Sequence, residues 1–392
     1  MNKNKKGISK GVFSALTWGL DTVISGIILS MQPFAGHVSL LFAPLVAVFL
    51  HDFLGAIWLL IYLTIKGELK DLFKCFKKKE SFYAIAAGIL GGPVGMGGYY
   101  LAIKYIGPSY SAAISSVYPI MGAVLAAIIL REKLNKIGWM GLVFGVVGVV
   151  LLSMDGTGGS LSLLGIGFAL MPVIGWGSES IISAVGMKDG ELKPVQVLNI
   201  RLLASGITFG VIVLPIIHGY GLVENLVMVN PMTLALIVLV GLVGAISLSA
   251  YYSAIKDIGP VKAMSINITY VIWAVIMGLF MSGNTMSFTK ILFIGMIFAG
   301  SIFVIISKKD EKNVIEEIII KAPAVLSFDM MKIKKNGDRV MINKEIKLKK
   351  SLAKAEIKAE RYNVKQEIKN ENALKKTYKN LDKEMMNLVF GR

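Results

Sequence analysis

The stretch YYLAIKYIGP at residues 99–108 returns as YYSAIKDIGP at residues 251–260, identical at eight of ten positions. A second echo lies upstream of each copy, where WGLDTVIS at 18–25 returns as WGSESIIS at 176–183. A chain built this way is two copies of one unit. The copies carry an acid at the same internal place, Asp21 and Glu179. Internal duplication within a very apolar chain is the sequence mark of many secondary transporters.

Apolar runs of about 20 residues recur from Gly11 to Ile306, each long enough to cross a bilayer core of roughly 30 Å. Of the 392 residues 55% are hydrophobic and 17% charged, against about 25% charged in an ordinary soluble domain. The first run lacks a small-x-small cleavage site and reads as a membrane helix, not a signal peptide. The single cysteine, Cys75, excludes an internal disulfide. The net charge of +17 is accounted for by lysine in loops and tail that face anionic lipid, so nucleic acid is not expected as a partner.

Ten membrane helices are expected, over 9–31, 39–64, 82–104, 108–130, 137–154, 162–186, 195–217, 233–254, 262–282 and 287–307. Lys3, Lys5, Lys6 and Lys10 precede the first. Every second loop after that is also basic: Lys66 to Lys79, Arg131 to Lys136, Lys188 and Lys193, Lys256 and Lys262, then Lys308. The positive-inside rule places both termini in the cytoplasm of a multi-pass plasma-membrane protein. Ten helices in two copies give five each, and an odd repeat inverts the second copy. The expected fold is therefore an all-α integral membrane protein of two inverted five-helix repeats, 1–154 and 155–307, followed by a basic cytoplasmic tail, 308–392. In the tail, Asn336-Gly337 suits a β-hairpin, and 344–388 reads as a charged helix, with anionic lipid headgroups and solvent as its alternative surroundings.

Between Gly11 and Ser307 the chain resembles the drug/metabolite transporter superfamily, in particular its ten-helix EamA-type members. The resemblance rests on Trp-Gly in helices one and six and on the small residues of 111–116 leading to Pro119. It rests also on ILREKL at 129–134, which closes helix four with Glu132, and on the Gly-rich helix at 141–152. It implies a monomeric carrier whose cavity is lined by helices one, three, four, six, eight and nine, with helices five and ten as scaffold. There are two departures. An arginine is common early in the second helix of each repeat; Arg201 fits, whereas the first copy has His51-Asp52. The tail has no counterpart in the family.

Charged side chains in a bilayer centre cost at least about 2.5–3.5 kcal/mol and so need a reason. The intramembrane set is Asp21, His51, Asp52, Glu179 and Arg201. A carboxyl in low dielectric holds a proton more readily, so Asp21 or Glu179 is expected to bind a proton or a cationic substrate in competition. The resemblance adds that small multidrug exporters of the same superfamily use a first-helix glutamate. Asp52 and Arg201 are expected to form a structural ion pair, and His51 has little to mark it as a relay. Trp18, Ser115, Tyr118, Trp176, Asn267, Tyr270 and Trp273 complete the expected substrate-binding set, through ring stacking, cation–π attraction and hydrogen bonds. For Tyr99, Tyr100, Tyr251 and Tyr252, interfacial anchoring and gating are equal alternatives. The stretch GGPVGMGG at 91–98 lies inside an apolar helix and lacks the Lys-Ser/Thr of a phosphate loop; it reads as close helix approach with a kink at Pro93.

No catalytic residue, metal site or cofactor is expected. His37, His51 and His218 are scattered, and neither a nucleophile nor an ATP-binding motif is present. The expected function is secondary transport of small metabolites or drugs, directed outward, by alternating access coupled to protons through Asp21 and Glu179. The alternative is a membrane sensor or scaffold presenting the basic tail to a partner. Deleting the residues after Lys308 separates the two, since a carrier keeps its flux and a scaffold loses its role.

Overall fold

Backbone N–H and C=O groups find no water in hydrocarbon, so apolar runs this long fold as helices that satisfy those groups internally. The computed structural model describes residues 3–35, 43–132, 134–154, 162–188, 192–282 and 287–307. The expected tail hairpin, charged tail helix and lipid contact lie outside the described residues.

In the first half, α1 (Lys3–Ser30) and α2 (Ala43–Ile65) are followed by a short helix, α3 (Leu69–Cys75). Next, α4 (Glu80–Ile89) runs through a π-helical segment, Leu90–Met96, into α5 (Gly97–Ser115). Pro93 sits inside that segment. Having no N–H and a ring that crowds the preceding turn, it widens the helix instead of ending it. The half closes with α6 (Tyr118–Leu125) and α7 (Lys136–Met154). The second half comprises α8 (Leu163–Gly186), α9 (Pro194–Thr208), α10 (Leu214–Ile216), α11 (Tyr220–Val229), α12 (Pro231–Ile258), α13 (Pro260–Asn267), α14 (Tyr270–Ser282) and α15 (Phe288–Ile306).

Nine helices among the described residues are long and apolar enough to cross a membrane, one fewer than expected. The missing one is the expected span 82–104. It is helical throughout, but Gly91, Gly92, Gly95, Gly97, Gly98, Tyr99 and Tyr100 dilute its hydropathy. The break expected near Gly107-Pro108 is also displaced, because α5 continues to Ser115. At the matching place in the second half, Gly259 takes φ +84° and does separate α12 from α13.

The halves pack by exchanging partners. α1 lies along α12, and its repeat mate α8 lies along α5 and the π segment; α2 packs on α12, as α9 does on α4. α7 and α15 pack on each other. Their approach is close because Gly141 and Gly145 face Gly300, where an added Cβ would stand 2.7 Å from the Gly141 carbonyl oxygen. Small residues of this kind let membrane helices meet backbone to backbone.

Polar contacts collect the lysine-bearing loops at one end of the bundle. Lys10 Nζ is 2.7 Å from Asp257 Oδ2, Lys256 Nζ 3.5 Å from the Leu192 carbonyl and Lys193 Nζ 2.9 Å from Glu68 Oε1. The Glu68 carboxylate raises the basicity of the exposed Lys193 ammonium. At the far end, Thr233 donates to the Gln32 carbonyl at 2.7 Å. Thus α1 begins at the lysine-bearing end and α8 finishes there, so the repeat mates run in opposite directions.

Candidate functional site

The five intramembrane charged residues form one connected chain through the middle of the bundle. On α2, His51 Nε2 lies 3.0 Å from Asp21 Oδ2 of α1, and its Nδ1 lies 3.0 Å from Asp52 Oδ1 on the same helix. The other oxygen of Asp52 accepts from Arg201 Nη1 of α9 at 2.7 Å and from Ser205 Oγ at 2.5 Å. Arg201 Nε then donates to Glu179 Oε1 of α8 at 2.7 Å, and Tyr252 of α12 donates to the same oxygen at 2.8 Å. None of the five is more than 5% exposed. Burial of this depth is tolerable only because each charge has a hydrogen-bonded opposite; deleting one partner of such a pair costs about 3–5 kcal/mol. The network sets three carboxyl groups against one imidazole and one guanidinium, so its acids outnumber its basic groups by one.

Glycine makes the network possible. Gly91 and Gly92 of the π segment lie directly against Glu179, Arg201 and Ser205, and Gly244 of α12 against His51. Any side chain at these positions would occupy the space of the charged groups.

The repeat symmetry extends to the site. Trp18, Asp21, Ser25 and Tyr100 in one half correspond to Trp176, Glu179, Ser183 and Tyr252 in the other. Ser183 Oγ donates to the Tyr252 hydroxyl at 3.2 Å, and in the other half Ser25 Oγ donates to Asp21 Oδ1 at 3.5 Å, with Tyr100 lining the same cavity. The cation on the neighbouring helix differs between halves: His51 beside Asp21, Arg201 beside Glu179.

Two cavities flank this chain and share Trp18, Met96, Trp176 and Tyr270 as a common wall. The larger, about 280 Å³, includes Asp21, Ser25, Tyr99 and Tyr100 and reaches Leu29, toward the end of the bundle away from the lysines. It lies near the low end of the roughly 300–1,000 Å³ usual for small-molecule pockets. The smaller, about 40 Å³, includes Tyr118, Glu179, Ser180, Arg201, Tyr251 and Asn267. Tyr118 donates to Asn267 Oδ1 at 3.0 Å, and Ser180 and Tyr251 hydroxyls are 2.8 Å apart. The shared wall is aromatic, with Trp176 centred 5.3 Å from Tyr99 and 5.8 Å from Tyr118.

Of the residues expected from sequence, Trp18, Asp21, Tyr118, Trp176, Glu179, Asn267 and Tyr270 line one or both cavities. Ser115 and Trp273 line neither of them. The Ser115 hydroxyl bonds the Ala112 carbonyl of its own helix at 3.3 Å. Trp273 packs against Gly19 of α1 and edge-on to Phe298. The Asp52–Arg201 contact is present, but as the middle of a longer chain and not as an isolated pair. The interfacial reading of the paired tyrosines does not hold for Tyr100, Tyr251 and Tyr252, which are buried at the larger cavity, the small cavity and the network respectively. Ser25, Ser183 and Ser205 are absent from the expected set, and His51, which has little weight there as a relay, bridges Asp21 and Asp52. The signal for Ser25 and Ser183 lay in the repeated octapeptide itself, and that for His51 in its departure from an arginine. Among the described residues no cluster of His, Cys, Asp and Glu suits a metal ion.

The profile of the EamA-like transporter family matches the chain twice, over residues 5–154 and 163–306. Protein LicB of Haemophilus influenzae is 29% identical over 308 residues, which is 78% of this chain and all of that protein. An uncharacterized transporter of Clostridium kluyveri is 24% identical over 56% of this chain and 70% of its own length. A solved crystal structure 14% identical in sequence superposes with a TM-score of 0.54 over 77% of this chain and 96% of its own, a likeness of fold. The charged network lies within the matched segments, and the chain belongs to the EamA-like transporter family, as a multi-pass membrane transporter.

Proposed function

We propose that the protein carries a small organic cation across the plasma membrane by alternating access and exports it in exchange for protons. The observation that carries this reading is the buried network, whose unbalanced negative charge meets the larger cavity at Asp21. The rings of Trp18, Tyr99, Tyr100, Trp176 and Tyr270 line the same cavity as Asp21, and aromatic faces attract cations by about 0.5–2 kcal/mol each. The antiparallel halves supply two near-equivalent shapes, one for each side of the membrane. With the lysine-bearing end in the cytoplasm, the larger cavity belongs to the exterior half, and the conformation described is the one with its cargo space outward. One chain holds both halves, so the carrier works as a monomer.

Full-length protein in liposomes, given a panel of cationic, neutral and anionic organic solutes of similar size, tests the proposal. Cations should move, faster with an opposing pH gradient, and Asp21→Asn should abolish that acceleration. Transport restricted to neutral or anionic solutes, or a wild-type rate indifferent to the gradient, contradicts it.

A further inference from the structure

The two acids of the duplicated motif are not equivalent. Glu179 has a complete shell without any added proton: its two oxygens face Arg201 Nε and Nη2, and Oε1 also receives the Tyr252 hydroxyl. Arginine stays charged in a protein, so this half holds a fixed ion pair. The Asp21 side has a different count. His51 places both ring nitrogens 3.0 Å from carboxylate oxygens, Nδ1 at Asp52 and Nε2 at Asp21. A carboxylate oxygen only accepts, and a neutral imidazole carries a single N–H. Both contacts are hydrogen bonds only when the triad contains one proton beyond a neutral imidazole and two carboxylates. Asp52 does not hold it, because Arg201 and Ser205 already donate to Asp52 and favour its ionised form. The additional proton therefore belongs to the contact between His51 Nε2 and Asp21, and Asp21 is the member of the triad that lines the larger cavity.

We infer that the proton exchanged for cargo resides on His51, shared with Asp21, and that Glu179 is a fixed structural acid. This rests on the reading of the chain as a proton-exchanging cation carrier. When a cation settles beside Asp21, the Nε2–H bond breaks, its electron pair stays on nitrogen, and the proton passes to water in the cavity. Neutral His51 keeps its Nδ1–H on Asp52, while the Asp21 carboxylate pairs with the cargo. Network plus occupant carries one net negative charge before and after, so the exchange takes place without accumulating charge in the membrane. The charged and titratable groups around His51 are Asp21 from α1, Asp52 from its own helix and Arg201 from α9. Beyond them stand Glu179 from α8, Tyr100 from α5 and Tyr252 from α12.

The test uses the full-length protein in lipid, with 15N-labelled histidine and 13C-labelled aspartate and glutamate side chains, titrated by solid-state NMR without cargo. His37→Gln and His218→Gln variants assign the imidazole signals. The expected result is a doubly protonated His51 at acidic pH that loses one proton as pH rises, with Asp21 shifting in the same step and Glu179 silent. A His51 that stays neutral throughout, or a Glu179 that titrates in its place, overturns the inference. As a second arm, His51→Arg gives the first half the fixed cation of the second. The variant should lose the pH-gradient dependence of tetramethylammonium flux, and a folded variant that retains the wild-type dependence also overturns the inference. Absence of any cation flux in the wild type is a different failure, that of the proposed function, and leaves the NMR result to decide where the proton sits.

Discussion

The two halves of this transporter place an acid at the same point of the same repeated helix and then answer it differently. Asp21 meets a histidine and a cavity of about 280 Å³; Glu179 meets an arginine, a tyrosine and a cavity of about 40 Å³. Duplication supplied two copies of one buried carboxylate, and the neighbouring helix gives each a different partner, the one proposed to exchange a proton lying beside His51 and the other beside Arg201. Asp52, on the first half's second helix, ties them together by contacting both cations. The second half thus serves as the fixed counterpart against which the first half works.

The largest effect should come from removing the fixed cation. Arg201→Met strands Asp52 and Glu179 together, and a stability loss of about 3–5 kcal/mol is expected in equilibrium unfolding in mixed detergent. Should His51→Gln prove as damaging as Arg201→Met, the division into a fixed and a changeable half is wrong. Next comes the pair of acids. Glu179→Gln weakens three hydrogen bonds, two of them to a charged group worth about 1.5–3 kcal/mol each, and should act on stability before it acts on coupling. Asp21→Asn should lower the thermal midpoint less than Glu179→Gln, since it loosens chiefly the His51 contact where Glu179→Gln loosens three, while removing the pH dependence of flux. Equal effects of the two substitutions on both readouts would restore symmetry to the halves.

Smaller effects sharpen the same contrast. Gly91→Ala puts a methyl group into the space of the Glu179 carboxylate and should lower stability by about 1–3 kcal/mol through overpacking, visible as a lower unfolding midpoint. Tyr252→Phe removes one donor from Glu179 and should cost about 1–2 kcal/mol, whereas Tyr100→Phe, at the larger cavity, should cost less. The exposed Lys193–Glu68 contact should matter least, with Lys193→Met leaving the unfolding midpoint in place.

Much of the architecture was legible because bilayer physics leaves few choices. Apolar runs long enough to span must be helices, and the lysine pattern marks alternate loops. The repeat around Tyr99 and Tyr251 told which helices correspond. Helix limits were less legible: α5 passes the Gly107-Pro108 break, while the same dipeptide at Gly259-Pro260 ends α12, because the local pattern does not state which copy takes positive φ. In the site, each charged residue was visible as an expense that needed a reason, but their union was not. Spacing along α2 says that His51 and Asp52 are neighbours in sequence; only the packing that brings α1, α2, α8 and α9 together shows that one imidazole and one guanidinium link three carboxylates from three helices. Ser115 and Trp273 line neither cavity for the converse reason. A polar or aromatic side chain on a cavity-lining helix still has a back face, and theirs is turned toward helix packing.

The most direct test is a count of protons released on binding. Full-length protein in weakly buffered suspension, followed with a pH indicator while tetramethylammonium is added to saturation, should release about one proton per cation bound, and Asp21→Asn should release none. Saturable binding with no release of protons, or with release unchanged in Asp21→Asn, would contradict exchange at this network.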